Sequence, residues 1–416
     1  MKPDSTSIFK FFFLLWIGGY VFVYIFPFPE RQILFGFDLL GSHFEKFVST
    51  TNFFVGKNVL GLDNLEYDGG SGSGDTTFDY VYLVTRVLLS LVLASVLFLL
   101  RNKFTWIRQA YPAMIIYARY FVGITLIQYG VAKFMIGQFP APSISSLEQP
   151  FGDFSPMGLA WRFFGYSELY KAFIGMSEIS AGALLLFRRT VVVGSLLSIA
   201  VVTNIVLVNF SFDVPVKLFS SHLLFFSVLI LLPHVKQLVD ILILHKPGHL
   251  EYKPRTFSSK QKKWTYSMIK YYMVLFLPLS MIVGHYLGQS HKRSDNPWEG
   301  AYEVLTFEKN REDFPADAEW VKLILDGKSM TVERVSGLKT YFTISEVGDE
   351  GVISLSSSTD MEGTSTLQVV ENGGGYQLIA QIGDNQFDMT AKRKKKSDYF
   401  LIGRGFNWVN EYPFNR

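Results

Sequence analysis

The sequence has no cysteine among its 416 residues. Dithiol exchange, cysteine-ligated zinc and cysteine-ligated iron–sulfur clusters are therefore excluded as chemistry of this chain's own residues. A domain held together by disulfides is excluded as well. Metal-ligand spacings, nucleophile elbows, dinucleotide fingerprints and nucleic-acid-binding motifs are also missing from the sequence. The sequence thus assigns no reaction, no catalytic residue and no metal site.

Charge is scarce and unevenly distributed. Charged residues make up 18% of the chain, whereas 49% of the residues are hydrophobic and 16% are aromatic. Residues 295–416 contain 13 Lys and Arg against 20 Asp and Glu, so the basic excess lies in the first 290 residues. This first part holds seven long apolar runs, and a membrane-spanning helix needs ~20 mostly apolar residues. The predicted spans are Ile8–Phe28, Val81–Leu100, Ala113–Ile136, Leu169–Phe187, Val191–Phe210, Leu218–Leu232 and Met268–Leu287.

Orientation follows from the basic residues in the loops, because cytoplasmic loops hold the excess of Lys and Arg. With the N-terminus inside, the cytoplasmic segments hold 14 Lys and Arg and the opposite segments hold 5. Seven crossings then place the C-terminal part on the extracytoplasmic side of the membrane. The short run Leu218–Leu232 is the weakest span, and without it the tail would be cytoplasmic. The first run could be a signal peptide, but its Phe and Tyr content and the following Pro-Phe-Pro favour a retained anchor.

We divide the chain into an N-terminal anchor and outer loop (1–79), a transmembrane bundle (80–290) and an extracytoplasmic β domain (295–416). Short alternating segments separated by Gly and Asp predict an antiparallel meander that closes into a barrel or sandwich. We expect a filled core, with a bound apolar ligand as the alternative. The expected strands are Trp320–Asp326, Ser329–Val335, Thr340–Ser345, Val352–Ser357, Thr366–Val370, Tyr376–Gln381, Gln386–Thr390 and Tyr399–Ile402.

Four further segments carry specific expectations. Apolar residues at helical spacing between Ile33 and Val48 predict a helix on the membrane surface or capping the bundle. The Gly-rich run 69–77 is expected to be a flexible turn, although its amides could cradle an anion. The aromatic loop Gly137–Glu168 is expected to be an ordered lid or an interfacial belt. The basic run Lys392–Lys396 is interpreted as a solvated hairpin, with a lipid phosphate contact as the alternative.

Ionisable and amide side chains inside the predicted spans are the main functional lead, because they are costly in lipid and usually face the bundle interior. The candidate ligand-binding residues are Arg86, Arg119, Lys133, Glu178, Asn204 and His222. We expect a polar pocket that binds an anionic or quinone-like head group, with His222 available for proton transfer. The alternative is a structural network in which Glu178 pairs with a cation and locks the helices together.

Two helices of this bundle resemble the core of DoxX-like membrane proteins. The resemblance lies in Arg119-Tyr-Phe-Val-Gly123 through Tyr129-Gly-Val-Ala-Lys133, and in Gly175-Met-Ser-Glu178-Ile-Ser-Ala-Gly182-Ala-Leu-Leu-Leu-Phe-Arg188. It covers residues 117–232 and implies a four-helix core, to which this chain adds further spans and a β domain. Some DoxX-like proteins are subunits of thiosulfate:quinone oxidoreductases, and others take part in redox homeostasis.

The sequence therefore favours a membrane α-helical bundle of about seven spans with a C-terminal β domain. The expected function is that of an accessory subunit in redox or envelope maintenance that binds a quinone or another small amphiphile. One alternative is an envelope scaffold whose β domain binds a protein or lipid partner, and another is a transporter. The bilayer is the expected partner, together with a membrane or envelope protein, and nucleic acid is not expected.

Overall fold

The computed structural model describes residues 5–30, 40–67, 72–134, 137–247, 259–289, 296–310, 316–348, 351–357 and 365–411. The chain divides into two compact units. The helical unit comprises residues 1–139 and 156–285, and the barrel unit comprises residues 140–155 and 286–416. Residues 140–155, which lie between two helices of the bundle in sequence, thus belong to the barrel unit, whereas the division made from sequence places the β domain at 295–416 alone.

The helices have the following bounds in chain order, with α5 and α13 in the barrel unit: α1 Ser5–Ile25, α2 Gly41–Asn58, α3 Thr77–Leu100, α4 Ala110–Phe134, α5 Ile144–Glu148, α6 Pro156–Tyr166, α7 Glu168–Leu186, α8 Val191–Ser211, α9 Lys217–Leu231, α10 Val235–Leu242, α11 Lys260–Tyr271, α12 Leu277–Gln289 and α13 Phe400–Gly403. Short 3-10 turns at Thr105–Gln109 and Leu232–His234 lead into α4 and α10.

Six helical segments are long and apolar enough to cross a membrane. They contain α1, α3, α4, α7, α8 and the continuous stretch of α9 with α10, so Leu218–Leu232, the weakest of the predicted spans, lies in a segment of 26 residues. Side chains on their outer faces are apolar, as Val92 and Leu99 illustrate with exposures of 62% and 77%. The helical unit is therefore a membrane-embedded bundle whose surface contacts lipid.

The seventh predicted span forms a different structure. Residues 260–289 are helical throughout, but a π turn at Tyr272–Phe276 separates α11 from α12. Pro278 follows this turn, and a proline lacks the N–H that would bond to the carbonyl four residues earlier. The continuous apolar part of this segment, Val274–Gly284, is shorter than a span. Hydropathy therefore supports six crossings among the described residues, against the seven predicted.

Small residues bring α4 and α7 into close contact. A Cβ atom added to Gly130 would lie 2.4 Å from the Gly175 carbonyl oxygen, and one added to Gly182 would lie 2.4 Å from that of Gly123. Each helix thus contributes two glycines seven residues apart, and their order shows that the helices run antiparallel. Small residues on facing helices allow this close approach, as is common in membrane bundles.

The C-terminal region is a closed antiparallel barrel in which consecutive strands pair and β8 pairs with β1. The strands are β1 Gly300–Lys309, β2 Trp320–Asp326, β3 Ser329–Arg334, β4 Lys339–Val347, β5 Val352–Ser357, β6 Ser365–Asn372, β7 Gly375–Ile382 and β8 Asn385–Lys394. Inward-facing side chains such as Tyr302, Leu323 and Met330 are fully buried and fill the interior. The core is filled, as expected, and the alternative of a sandwich is wrong.

Two local expectations for the barrel unit are wrong. Tyr399–Ile402 is not a strand, because Phe400–Gly403 forms a single helical turn. The basic run is not a solvated hairpin, since Lys392, Arg393 and Lys394 end β8. Arg393 donates hydrogen bonds to the carbonyls of Pro297 and Glu299. Alternation of apolar and polar residues predicts which side chains face the core. It does not show whether a charged side chain at a strand end points to solvent or bonds to a neighbouring segment, as Arg393 does.

Glu148, at the end of α5, anchors the segment 140–155 to the barrel. Its carboxylate lies 2.7 Å from Lys322 Nζ and 3.3 Å from Lys394 Nζ, and it accepts a hydrogen bond of 2.5 Å from the Tyr399 hydroxyl. Burial alone would raise the pKa of Glu148, but these partners outweigh it and lower the pKa to about 2. The carboxylate is therefore ionised at neutral pH. Part of the aromatic loop is thus an ordered component of the barrel unit.

Candidate ligand-binding cavities

Lys133 and Glu178 form a buried ion pair between α4 and α7. Lys133 Nζ lies 3.0 Å from both carboxylate oxygens, and its geometry allows a hydrogen bond to Oε2. Glu178 is completely buried and Lys133 is 8% exposed. The residues follow Gly130 and Gly175 by three positions, and helical side chains lean toward the N-terminus of their own helix. In an antiparallel pair this lean directs the two side chains toward each other.

The ion pair lines a cavity of about 320 Å³, which we call the Glu178 cavity. Its walls are largely apolar and aromatic, and they come from α4, α6, α7, α8 and the first turn of α9. The lining residues include Tyr129, Phe139, Met157, Trp161, Phe164, Ile174, Asn204, Val208 and Phe219. The Lys133 ammonium lies 5.1 Å from the centre of the Tyr129 ring. The cavity thus combines a neutral pair of charges with an aromatic wall.

Asn204 also lines the Glu178 cavity, from the C-terminal half of α8. Its side chain is exposed, and no hydrogen bond joins it to any other residue that the structure describes. By contrast, Asn209 on the same helix is buried and donates to Ser220 Oγ at 3.0 Å. An amide inside a spanning helix loses free energy when it has no hydrogen-bonding partner. Asn204 therefore leaves both a donor and an acceptor available to a molecule in the cavity.

Arg86 and His222 line a separate cavity of about 940 Å³, which we call the Arg86 cavity. It lies at the end of the bundle where α1 ends and where α3 and α9 begin, and α2 contributes Phe44. The Arg86 guanidinium carbon lies 4.6 Å from the centre of the Tyr24 ring and 4.1 Å from that of Tyr82. Phe219 lines both cavities, so the first turn of α9 forms a shared wall.

The imidazole of His222 already has partners at both nitrogens. Nδ1 lies 2.6 Å from the Leu218 carbonyl oxygen, to which it donates, because a carbonyl can only accept. Nε2 lies 2.5 Å from the Tyr20 hydroxyl. The ring also stacks on Tyr24, with centroids 4.2 Å apart. His222 is thus held rigidly, and a proton transfer from it to a ligand would have to pass through Tyr20.

Arg119 lines neither of these two cavities. It is buried near the start of α4, ~21 Å along the helix from Lys133. Its guanidinium lies 5.0 Å from the Tyr120 ring, and the Tyr120 hydroxyl lies 2.5 Å from that of Tyr266 on α11. The expected single pocket is therefore divided, since the structure brings together Lys133 with Glu178 and Asn204, and Arg86 with His222.

Sequence reasoning missed several polar residues around these sites. Tyr20, Tyr24 and Tyr82 surround Arg86 and His222, but tyrosines near span ends usually indicate the membrane interface, so they carry no separate signal. Lys171 is buried on α7 and donates to the Phe139 carbonyl and to Glu168. Lys171 could have been found from the sequence, because it is a lysine inside a predicted span and stands seven residues before Glu178 on the same helical face.

Among the described residues, no group of three or more His, Asp or Glu could hold a metal ion.

The fold and its buried polar groups define a multispan α-helical membrane protein that carries a small closed β-barrel. The chain is 37% identical to the uncharacterized protein YwoB of Bacillus subtilis (strain 168) over 125 residues, which are 30% of this chain and 77% of YwoB. It therefore belongs to the same family as YwoB. No family model matches the chain. No solved structure matches it either.

Proposed function

We propose that this chain is a DoxX-like protein of the bacterial plasma membrane that binds a quinone or another small neutral amphiphile in the Glu178 cavity. In this role it would be an accessory subunit in redox or envelope maintenance. The observation that carries the proposal is the unpaired Asn204 amide beside the buried Lys133–Glu178 pair, within a cavity whose other walls are mostly apolar.

The chemistry of the cavity favours a neutral head group. Lys133 and Glu178 neutralise each other, so an ionised ligand would bring an uncompensated charge into a low-dielectric site. A quinone carbonyl could accept from Asn204 or from the Lys133 ammonium, and a quinol hydroxyl could donate to Glu178. The volume of about 320 Å³ suits a single aromatic head group and lies at the small end of ligand pockets. An apolar tail would then extend between helices into lipid.

The test measures binding of a short-chain quinone, decylubiquinone, to the purified full-length protein in a maltoside detergent. Asn204→Leu should weaken binding by about 10-fold or more, because it removes the free amide while leaving an apolar helix that remains stable in lipid. The matched control is Ser177→Ala, since Ser177 is half-buried next to Glu178, does not line the cavity, and bonds through its hydroxyl to the Phe173 carbonyl of its own helix. This control should bind the quinone as the wild type does.

A second variant separates ligand binding from structural support. Replacing Glu178 alone would leave a buried lysine without its partner, which destabilises a protein by about 3–5 kcal/mol. The double replacement Lys133→Met with Glu178→Met removes both charges at similar volume and should fold, yet lose the quinone. If this variant and Asn204→Leu both bind decylubiquinone normally, the ion pair is structural and the scaffold alternative is favoured.

For the orientation we propose a cytoplasmic N-terminus and an extracytoplasmic barrel, supported by the distribution of Lys and Arg among the loops. This arrangement requires the helical segment 260–289 to cross the membrane in addition to the six spans. At ~1.5 Å per residue its 30 residues are long enough to cross, although its apolar part is short. A phosphatase reporter fused after Arg416 should be active, and a reporter that is active only in the cytoplasm would contradict the proposal.

A further inference from the structure

The Arg86 cavity contains a half-buried cation whose hydrogen-bonding capacity is incompletely used. Arg86 Nε is buried and has no hydrogen-bond partner, and no carboxylate of the described residues lies within ion-pair distance of the guanidinium. Of its five N–H donors, the Tyr82 hydroxyl can accept one. Lys133, in the neighbouring cavity, has a carboxylate partner at 3.0 Å. The two cavities therefore differ in whether the cation in their lining is paired with a carboxylate of the described residues.

Two tyrosine rings lie next to the Arg86 guanidinium. Its central carbon lies over the Tyr24 and Tyr82 rings at cation–π distance. The N–H donors of a guanidinium lie in its own plane. A planar fork of this kind matches the two oxygens of a carboxylate or a phosphate. Because His222 is held by Tyr20 and the Leu218 carbonyl, the stacked arrangement around Tyr24 is rigid before any ligand binds.

The rest of the cavity is suited to an apolar body. Its walls include the rings of Phe26, Phe28, Phe44, Phe78, Phe121 and Phe219. The other charged residues that line it are Glu45 and Lys46 on α2 and Asp79, and Asp79 already accepts hydrogen bonds from the Thr76 amide and hydroxyl. The volume of about 940 Å³ is at the upper end of ligand pockets and three times that of the Glu178 cavity.

We propose that the Arg86 cavity is a second ligand site, separate from the Glu178 cavity, which binds an amphiphile with one anionic oxygen-bearing head group. The head group, a carboxylate or a phosphate, accepts from the guanidinium edge of Arg86, and the apolar body lies against the phenylalanine rings. The source of this ligand is either a free fatty acid or a phospholipid, which share this chemistry.

The test compares three probes that carry the same oleyl chain, binding to the full-length protein in a neutral detergent. The probes are oleate, oleyl phosphate and the uncharged oleyl alcohol, and affinity is measured by titration at one ionic strength. Both anionic probes should bind at least about 10-fold more tightly than the alcohol, because they form charge-assisted hydrogen bonds with Arg86. The tighter of the two identifies the source as a fatty acid or a phospholipid. Equal affinity of all three probes would overturn the proposal without any variant.

Variants then assign the effect to Arg86. Arg86→Met should reduce affinity for the anionic probes at least 10-fold and leave the alcohol unchanged. Arg86→Lys keeps the charge but loses the planar fork, so its affinity for the anionic probes should lie between those of the wild type and of Arg86→Met. Lys57→Gln is the control for general attraction of anions, because Lys57 is exposed on α2 and does not line the cavity, and it should change affinity less than about 3-fold. An Arg86→Met protein that remains folded and binds oleate like the wild type would contradict the assignment.

The two proposals fail independently. Asn204→Leu should abolish quinone binding but leave oleate binding intact, and Arg86→Met should do the reverse. If both ligands respond to both substitutions, the cavities act as one site through their shared wall at Phe219, and the inference of a separate site is wrong.

Discussion

The helical unit and the barrel unit distribute polarity in opposite ways. In the helical unit Lys133 and Glu178 are buried, while Val92 and Leu99 are exposed. In the barrel unit the interior is filled with apolar side chains such as Leu323, and charged residues lie outside. Lipid is as apolar as a leucine side chain, so helices in a membrane associate through close packing and polar contacts rather than by hiding apolar surface. The barrel is instead stabilised by burying apolar surface away from water.

The contrast also shows where ligands can bind. The barrel core is filled with side chains and leaves no room for a ligand among the described residues. The polar contacts of Glu148 on the barrel instead hold the segment 140–155 in place. The bundle contains the Glu178 cavity and the Arg86 cavity, and its α4 and α7 helices meet closely at a few glycines. Ligand chemistry is therefore expected in the helical unit, and the following substitutions test this division of roles.

The largest effect is expected at the glycine contact of the bundle. Gly130→Ala would place a methyl group 2.4 Å from the Gly175 carbonyl, which forces α4 and α7 apart. Such a clash with the backbone should lower the free energy of unfolding by about 3 kcal/mol and separate Lys133 from Glu178. Thermal unfolding in detergent measures the loss. Gly284→Ala on α12 is the matched control, since no other described residue beyond the adjacent helix backbone lies within 4 Å of the added Cβ. Equal melting temperatures for the two variants would show that close packing does not stabilise the bundle.

A smaller effect is expected at the anchor on the barrel. Glu148→Gln removes the charge that binds Lys322 and Lys394. It should lower the free energy needed to detach residues 140–155 from the barrel by about 1–2 kcal/mol, a modest loss because solvent partly screens these ion pairs. Limited proteolysis within this segment should become roughly 10-fold faster. Glu371→Gln, an exposed glutamate on β6, is the control and should leave the cleavage rate unchanged. A cleavage rate for Glu148→Gln equal to that of the wild type would contradict the anchor.

The smallest effect concerns the pH dependence of the same anchor. The pKa of Glu148 is lowered from 4.5 to about 2, so its stabilisation is fully present above pH 4.5 and is lost as the pH falls toward 2. Wild-type cleavage in the segment 140–155 should therefore accelerate across this acidic range. The Glu148→Gln variant should show a flatter profile, because glutamine does not titrate there. Parallel profiles would assign the acid sensitivity to other groups.

Much of the fold followed from the sequence because the signals were local. Long apolar runs such as Val191–Phe210 identify spans by length and hydropathy, and seven of the eight predicted strands lie where the structure has strands. The segment 268–287 was harder, because Lys270 and Pro278 interrupt an apolar pattern that otherwise resembles a span. Residues 31–39 and 68–71, which carried part of the predictions, lie outside the described residues. Within the described parts, α2 packs on α3, and Asp75 accepts hydrogen bonds from the first amides of α9.

The candidate sites were only partly predictable. Arg86, Lys133, Glu178, Asn204 and His222 are identifiable because polar groups in spans are costly and therefore rare. Which of them share a cavity depends on how antiparallel helices align, and this alignment is set by contacts between glycines that are distant in sequence. Tyr20 and Tyr24 come from the first helix, some 200 residues away from His222 along the chain. No local pattern encodes that contact.

The amino-acid sequence by itself determined the solvent of each part, since 20-residue apolar runs are stable only in lipid and alternating short runs suit a half-buried strand. It also determined which polar residues a membrane span must accommodate. Only the tertiary structure decided that Glu178 neutralises Lys133 while Arg86 has no carboxylate partner among the described residues, and that a loop between two helices belongs to the barrel unit. The reason is that charge pairing depends on distances of a few ångströms between elements far apart in the chain, whereas hydropathy is a property of the local segment alone.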